Sequence, residues 1–305
     1  MQEQTILPVK RHNRIKRSLG SRAFDVFNVI FMLFFLLITL YPFWYVVIVS
    51  LSDGKAVLSS QVSLLPVNIT LDTYRVVLRD NSILTGFKNT IIYTVLGTLI
   101  NLVCTSMCAY PLSRPDLLGK KQIMGIIVFT MFFSGGMIPS YLVMNQLHLI
   151  DTIWAMVLPG AISTYNMIVM RTFFMGIPES LHESACLDGA SEWQILVKII
   201  LPLAKPILAT MLLFYAVGHW NSYMNALLYL NTKAKFPLQS ILRNMVVDGQ
   251  LTEAQTQVGS GSSFTVIETT MKYATIVIST LPILMIYPFV QKYFVKGVMI
   301  GSLKG

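Results

Sequence analysis

Residues 183–206 read ESACLDGASEWQILVKIILPLAKP, a run in which carboxylates, a glycine and two prolines break into largely apolar text. Just upstream, Ser180 and Glu183 have the S-x-x-E spacing of a capping box. A short helix is expected from about Leu181 to Leu187, closed at Asp188-Gly189, because glycine takes the left-handed conformation that ends a helix. Ser191 and Gln194 repeat the cap and start a second helix running to Leu201, with Pro202 and Pro206 at the entry to the next apolar stretch. The pattern is helix, sharp turn, helix. Ser184, Ala185, Gly189 and Ala190 keep the corner small, so another backbone can approach it. Three uses fit: a plain connector, a DNA-reading helix-turn-helix, or a docking element for a partner. Glu179, Glu183, Asp188 and Glu192 would repel phosphates, which counts against nucleic acid.

The surrounding chain is 54% hydrophobic and 12% charged over 305 residues, about half the charge of a soluble domain. That is the balance of an all-α polytopic membrane protein. Six apolar stretches are long enough to cross a bilayer as helices, over 24–50, 86–112, 122–144, 153–175, 203–230 and 273–294. The first is an anchor, being longer than a signal-peptide core and followed by no A-x-A cleavage site. Around it stand a basic segment, 1–23, and a mixed loop, 51–85, expected to carry one or two short helices. A core domain, 86–294, holds the other five spans, and a tail occupies 295–305. Orientation follows lysine and arginine. With the N-terminus inside, inner segments hold 15 of the 23 basic residues: Lys10, Arg11, Arg14, Lys16, Arg17, Arg22, Arg114, Lys120, Lys121, Arg171, Lys198, Lys205, Lys292, Lys296 and Lys304. Both termini are therefore expected in the cytoplasm, with the basic N-terminal run touching anionic membrane lipid rather than nucleic acid.

This arrangement places 178–206 on the cytoplasmic side and makes 231–272 a long extracellular loop. In that loop FPLQSILRNMVVDG has helical spacing at Leu238, Ile241, Leu242, Met245 and Val246, and GQLTEAQTQVGSGSS reads as a tether. No G-x-x-x-x-G-K-[ST], H-E-x-x-H or G-x-S-x-G occurs, so neither ATP binding by a P-loop nor a catalytic constellation is encoded. Cys104, Cys108 and Cys186 lack companions at metal-ligand spacing, and no metal or cofactor is expected. An ion-coupled secondary transporter would need acids deep in the spans, and none is there. A non-transporting scaffold stays open on these grounds.

Glu183-x-Ala185, Asp188-Gly189-Ala190 and Ile199-x-Leu201-Pro202 together resemble the EAA loop of ABC-importer permeases, with Ser184 where that family usually has a second alanine. VGHWNSYMNALLYL and the C-terminal LPILMIYPFVQKYFVKGVMIGSLKG resemble carbohydrate-importer permeases of the maltose type. FFSGGMIPSYLV and RPDLLGKK look like the subgroup handling complex oligosaccharides. The resemblance covers nearly the whole chain after residue 20. It implies the type I importer fold and half of a translocation pathway in a bacterial plasma membrane. The implied partners are a second, homologous permease, two copies of an ABC ATPase, and an extracellular lipid-anchored or periplasmic sugar-binding protein. It further implies that Glu183, Ser184, Ala185, Asp188, Gly189, Ala190, Ile199, Leu201 and Pro202 form the ATPase coupling element. The tail Gly301, Ser302, Leu303, Lys304 and Gly305 would reach the same ATPase, and the outer loop would touch the binding protein.

Polar residues inside spans are costly and often mark a pathway. Tyr165, Asn166, His219, Trp220, Asn221, Tyr223 and Asn225 are candidate sugar contacts, since aromatic faces and amides suit a ring with C–H faces and hydroxyls. Packing between helices is the alternative for each of them.

Overall fold

A computed structural model describes residues 19–246 and 270–288. Among these the protein is helical, with no strand. The long apolar runs form α1 (Leu19–Ser50), α4 (Asn81–Ser113) and α14 (Thr270–Pro288), each long and apolar enough to cross a membrane. The loop between α1 and α4 carries two short helices, α2 (Gly54–Leu58) and α3 (Asp72–Val77).

Three of the expected spans are not single helices. The third is split into α5 (Lys120–Phe132) and α6 (Met137–Gln146), bent by 111°. Its break runs through Ser134-Gly135-Gly136, where Gly136 holds φ +86°, a geometry glycine adopts freely. The fourth divides into α7 (Trp154–Val157) and α8 (Thr164–Phe174), separated by a turn with Gly160 at φ +75°. Ser163 starts α8 by accepting the Asn166 N–H. At about 1.5 Å per residue, α8 is too short to cross a bilayer alone.

The fifth is reorganised most. α10 (Glu192–Leu203) and α11 (Lys205–Trp220) meet at an 86° bend, and a break at residues 221–223 precedes α12 (Met224–Tyr229). Thus the second helix of the opening motif continues past Leu201. Within it, Leu196–Ile200 widens into a π turn. Pro202 has no N–H to return to the Lys198 carbonyl, so a loosened ladder just before it is the expected response. Pro206 sits in the first turn of α11, where a missing N–H costs nothing. The described residues hold three candidate spans, or up to five when each strongly bent pair is counted as one crossing.

α4 is the axis of the bundle, packing on α8 and α11 along its length. At one end its Tyr110 and Leu112 join Met167, Met170 and Phe174 of α8, Ile195 and Ile200 of α10, and Ile207, Met211 and Tyr215 of α11. At the other end Ile83 packs with Val77, Met271 and Ala274. The same cluster takes Leu238 and Met245 from α13 (Leu238–Val246), the helix expected from that spacing. α1 stands apart. Its most apolar window buries nothing; among the described residues its C-terminal end packs, with Ile48 and Val49 against Ala56 and Val62, Tyr45 on Tyr273, and Trp44 donating to the Leu64 carbonyl.

Candidate coupling site

The elbow begins with α9 (Glu179–Leu187), whose N-cap is Pro178 with no side-chain bond. The expected Ser180–Glu183 capping box does not form. Because the helix starts at Glu179, Ser180 already lies in its first turn, and its carbonyl accepts the Ser184 hydroxyl at 2.8 Å. The stop is as expected: Gly189 has φ +78°, its N–H donates to the Cys186 carbonyl, and the Ala190 N–H donates to Ala185. The second cap is complete, with the Ser191 N–H donating to Gln194 Oε1 at 2.9 Å and the Gln194 N–H to Ser191 Oγ at 3.4 Å.

Helical spacing sorts the elbow into two faces. His182 and Ala185 turn inward and are buried. Glu183, Ser184, Leu187 and Asp188 turn outward, and Leu187 is 89% exposed. Leu187 is a residue that sequence reasoning passed over. The signal was present, since a large apolar side chain stands there among Glu183, Ser184 and Asp188 with no apolar neighbour on its face. Ile199 and Leu201 are half-buried against the core, Ala190 likewise, and Pro202 is exposed. The outward face is compact, acidic and tipped by one leucine.

The inward face is held by a polar network that spacing could not reveal. The Tyr110 hydroxyl donates to Glu192 Oε2 at 2.6 Å, and His182 Nε2 lies 3.0 Å from Glu192 Oε1. Arg114 Nη2 sits 2.9 Å from His182 Nδ1 and 3.6 Å from Glu179. A guanidinium can only donate, so Nδ1 accepts and the imidazole proton is on Nε2, aimed at Glu192. His182, Cys186 and Glu192 are near enough to share a metal ion. Yet both ring nitrogens are spent on Arg114 and Glu192, which leaves the imidazole no lone pair for a metal.

The candidate sugar contacts are scattered. His219 donates from Nε2 to Asn101 Oδ1 at 2.6 Å, while Asn101 Nδ2 holds the Gly160 and Ala161 carbonyls at 3.0 and 2.9 Å. Trp220 is buried, donates to the Ser279 carbonyl at 3.0 Å and meets Phe87 edge-on. Asn221 bonds back to the Val217 carbonyl. Asn166 is buried, whereas Tyr165 and Tyr223 are exposed and Asn225 is half-buried. His219 and Trp220 are thus engaged in helix contacts. Tyr223 instead lines a recess of about 50 Å³ with Phe236, Ser240, Arg243 and Asn244. The tail 301–305 and the tether 249–262 lie outside the described residues.

A model of the family "Binding-protein-dependent transport system inner membrane component" matches residues 6–300. The chain belongs to that family. It is 44% identical over 286 residues to the polygalacturonan/rhamnogalacturonan transport system permease protein YtcP of Bacillus subtilis (strain 168), covering 93% of this chain and 99% of that protein. A chain of a bacterial ABC transporter that imports the acidic polysaccharide alginate superposes with a TM-score of 0.85 at 39% identity, over 92% of this chain and 100% of that one. A chain from a bacterial alginate ABC transporter, solved with its alginate pentasaccharide-bound periplasmic protein, shares the fold at 15% identity and a TM-score of 0.56, over 89% and 95%. The chain is therefore an inner-membrane permease of the carbohydrate-importing ABC type.

Proposed function

We propose that this chain is one half of the translocation pathway of an ABC importer for an oligosaccharide, driven by ATP hydrolysis in a partner subunit. The observation that carries the reading is the two-faced elbow. One side is welded to its own bundle, and the other presents Glu183, Leu187 and Asp188 to whatever lies beyond. In this reading the polypeptide crosses the membrane six times with both termini in the cytoplasm; α5 and α6 together make the third crossing, and α11 leads the fifth while α10 stays on the cytoplasmic side. Two ATPase copies seat the outward face of 178–206 and of its counterpart on a second, homologous permease. Residues 301–305 give the same ATPase a further contact. The bare faces of α1, and an apolar cleft of about 610 Å³ between α4, α10 and α11 that includes Leu102, Val103, Leu196 and Leu208, offer that second permease a surface.

Relatives that carry polygalacturonan and alginate make an acidic oligosaccharide the favoured cargo. An extracellular binding protein delivers it, and the 231–272 loop meets that protein. Tyr165, Asn221, Tyr223 and Asn225 are the side chains left to meet sugar. A ligand shifts a two-state protein only through different affinities for the two states, so ATP and the loaded binding protein must both favour the outward-open form. The test is uptake and ATPase activity of the assembled importer in proteoliposomes. Glu183→Lys and Gly189→Pro should insert normally yet lose binding-protein-stimulated ATPase and uptake together. Wild-type values in both variants would remove the elbow from the mechanism.

A further inference from the structure

The elbow is joined to the bundle in two ways. One is covalent, at both of its ends, from α8 into α9 and through the bend from α10 into α11. The other is made by side chains, to the end of α4: Tyr110 to Glu192 at 2.6 Å, Glu192 to His182 at 3.0 Å, and His182 to Arg114 at 2.9 Å. At the opposite end, α4 is pegged to a different segment. Asn89 Nδ2 donates to the Ala234 and Phe236 carbonyls at 2.8 and 3.1 Å, and the Tyr93 hydroxyl donates to the Lys235 carbonyl at 2.8 Å. Thr90 Oγ1 accepts the Leu238 N–H at 2.8 Å, which fixes the first turn of α13. Gly86 seals the contact: a Cβ there would fall on the Ile241 side chain, so α13 lies directly against the α4 backbone. Between the pegs α4 is one unbroken helix, and from Asn89 to Tyr110 it spans about 32 Å at 1.5 Å per residue.

We propose that α4 is a connecting rod. His182, Glu192, Tyr110 and Arg114 are positioning residues that make it move with the elbow, and its far pegs carry that movement to residues 234–246. The inference rests on the elbow being the ATPase contact. A hydrogen-bonded helix resists stretching, and directional bonds at both ends fix its sliding and its rotation. A displacement of the elbow therefore reaches α13 without help from α11. The cost of cutting either end is lost coupling, while the covalent route through α11 remains.

The experiment uses the complete importer in proteoliposomes, with Cys104, Cys108 and Cys186 replaced by alanine and an environment-sensitive fluorophore on Val246→Cys, an exposed position on α13. Uptake per ATP hydrolysed and the ATP-dependent change in emission are read together. Tyr110→Phe and Glu192→Ala should each lower uptake per ATP about 3- to 10-fold and flatten the emission change. Glu192→Gln, whose carbonyl oxygen still accepts from His182 and whose amide can donate to the Tyr110 hydroxyl, should restore most of each. Thr90→Val should flatten the emission change too, and combining it with Tyr110→Phe should add little, since both cut one rod. Full-sized emission changes in Tyr110→Phe and Glu192→Ala, or additive effects in the double variant, would overturn the proposal. Tyr110→Phe removes a single hydroxyl, so it carries the test even if Glu192→Ala fails to assemble. The control Gly189→Pro separates the two readings. If it uncouples and the latch variants do not, only the rod is wrong; if it also couples normally, the elbow reading falls first.

Discussion

Gly97 and His219 give a stringent test of the packing described above. A Cβ on Gly97 would fall on the His219 imidazole, so Gly97→Ala forces the ring to swing. The swing breaks the 2.6 Å bond to Asn101, whose amide holds the turn between α7 and α8 through the Gly160 and Ala161 carbonyls. Overpacking of this kind costs about 1–3 kcal/mol, offset by about 1 kcal/mol from alanine's better helix propensity. The net loss should be up to about 2 kcal/mol. His219→Ala alone leaves a cavity and strips Asn101 of its donor, at about 2–4 kcal/mol. In that background the clash is gone and only the propensity gain remains, so Gly97→Ala should become neutral or stabilising. The cycle therefore predicts a coupling of about 2 kcal/mol between neighbours in contact. Thermal unfolding of the four purified permeases in detergent, followed by tryptophan fluorescence, measures it. Equal destabilisation by Gly97→Ala with and without the histidine would refute the reasoning.

Other outcomes are equally specific. Gly86→Val should displace α13 by driving a side chain into Ile241 and lower the unfolding temperature, whereas Gly125→Ala, with open space around its Cβ, should be neutral or stabilising by up to about 1 kcal/mol. Gly189→Ala should cost about 1–2 kcal/mol because φ +78° disfavours any Cβ, and Gly189→Asn should cost less; unfolding midpoints rank the two. Asp151 accepts from Lys235 Nζ and Thr232 Oγ1, both at 2.7 Å, and from the Asn231 and Thr232 N–H groups at 3.0 Å. The Lys235 bond, followed by those from Thr232, holds its carboxyl well below the usual carboxylate range. Its contribution is thus present above its unfolded pKa of about 4 and is lost as pH falls through the folded value. The pair is partly exposed, so Asp151→Asn should cost about 1 kcal/mol or less at pH 7, and the gap to wild type should begin to narrow below about pH 4 and go on narrowing as the pH falls. A gap independent of pH would rule out the charge as its source.

The apolar runs made the membrane helices legible, but not their breaks. Averaged hydropathy over 122–144 or 153–175 is blind to a backbone that must reverse at Gly136 or Gly160, because both glycines sit among bulky apolar neighbours. Local chemistry was easier to read. Gly189 and the Ser191–Gln194 cap are set by residues three or fewer apart, and both formed as the sequence indicates. Ser180 and Glu183 have the right spacing and still fail, since Pro178 starts the helix two residues too early for a serine cap. The latch lay beyond any local reading. Tyr110 and Glu192 are 82 residues apart, and only the packing of α4 against α10 brings them to 2.6 Å.

The isolation of α1 bears on how such a subunit is made. A rod that is greasy on every side loses nothing by standing in hydrocarbon, because lipid tails contact it as favourably as another protein would. Its tether is a small joint at one end, where Tyr45 meets Tyr273 edge-on and Ile48 and Val49 pack under Ala56 and Val62. In the reading proposed above, a newly inserted copy can therefore persist in the bilayer before its partner permease arrives. The order in which subunits are synthesised then need not match the order in which they come together.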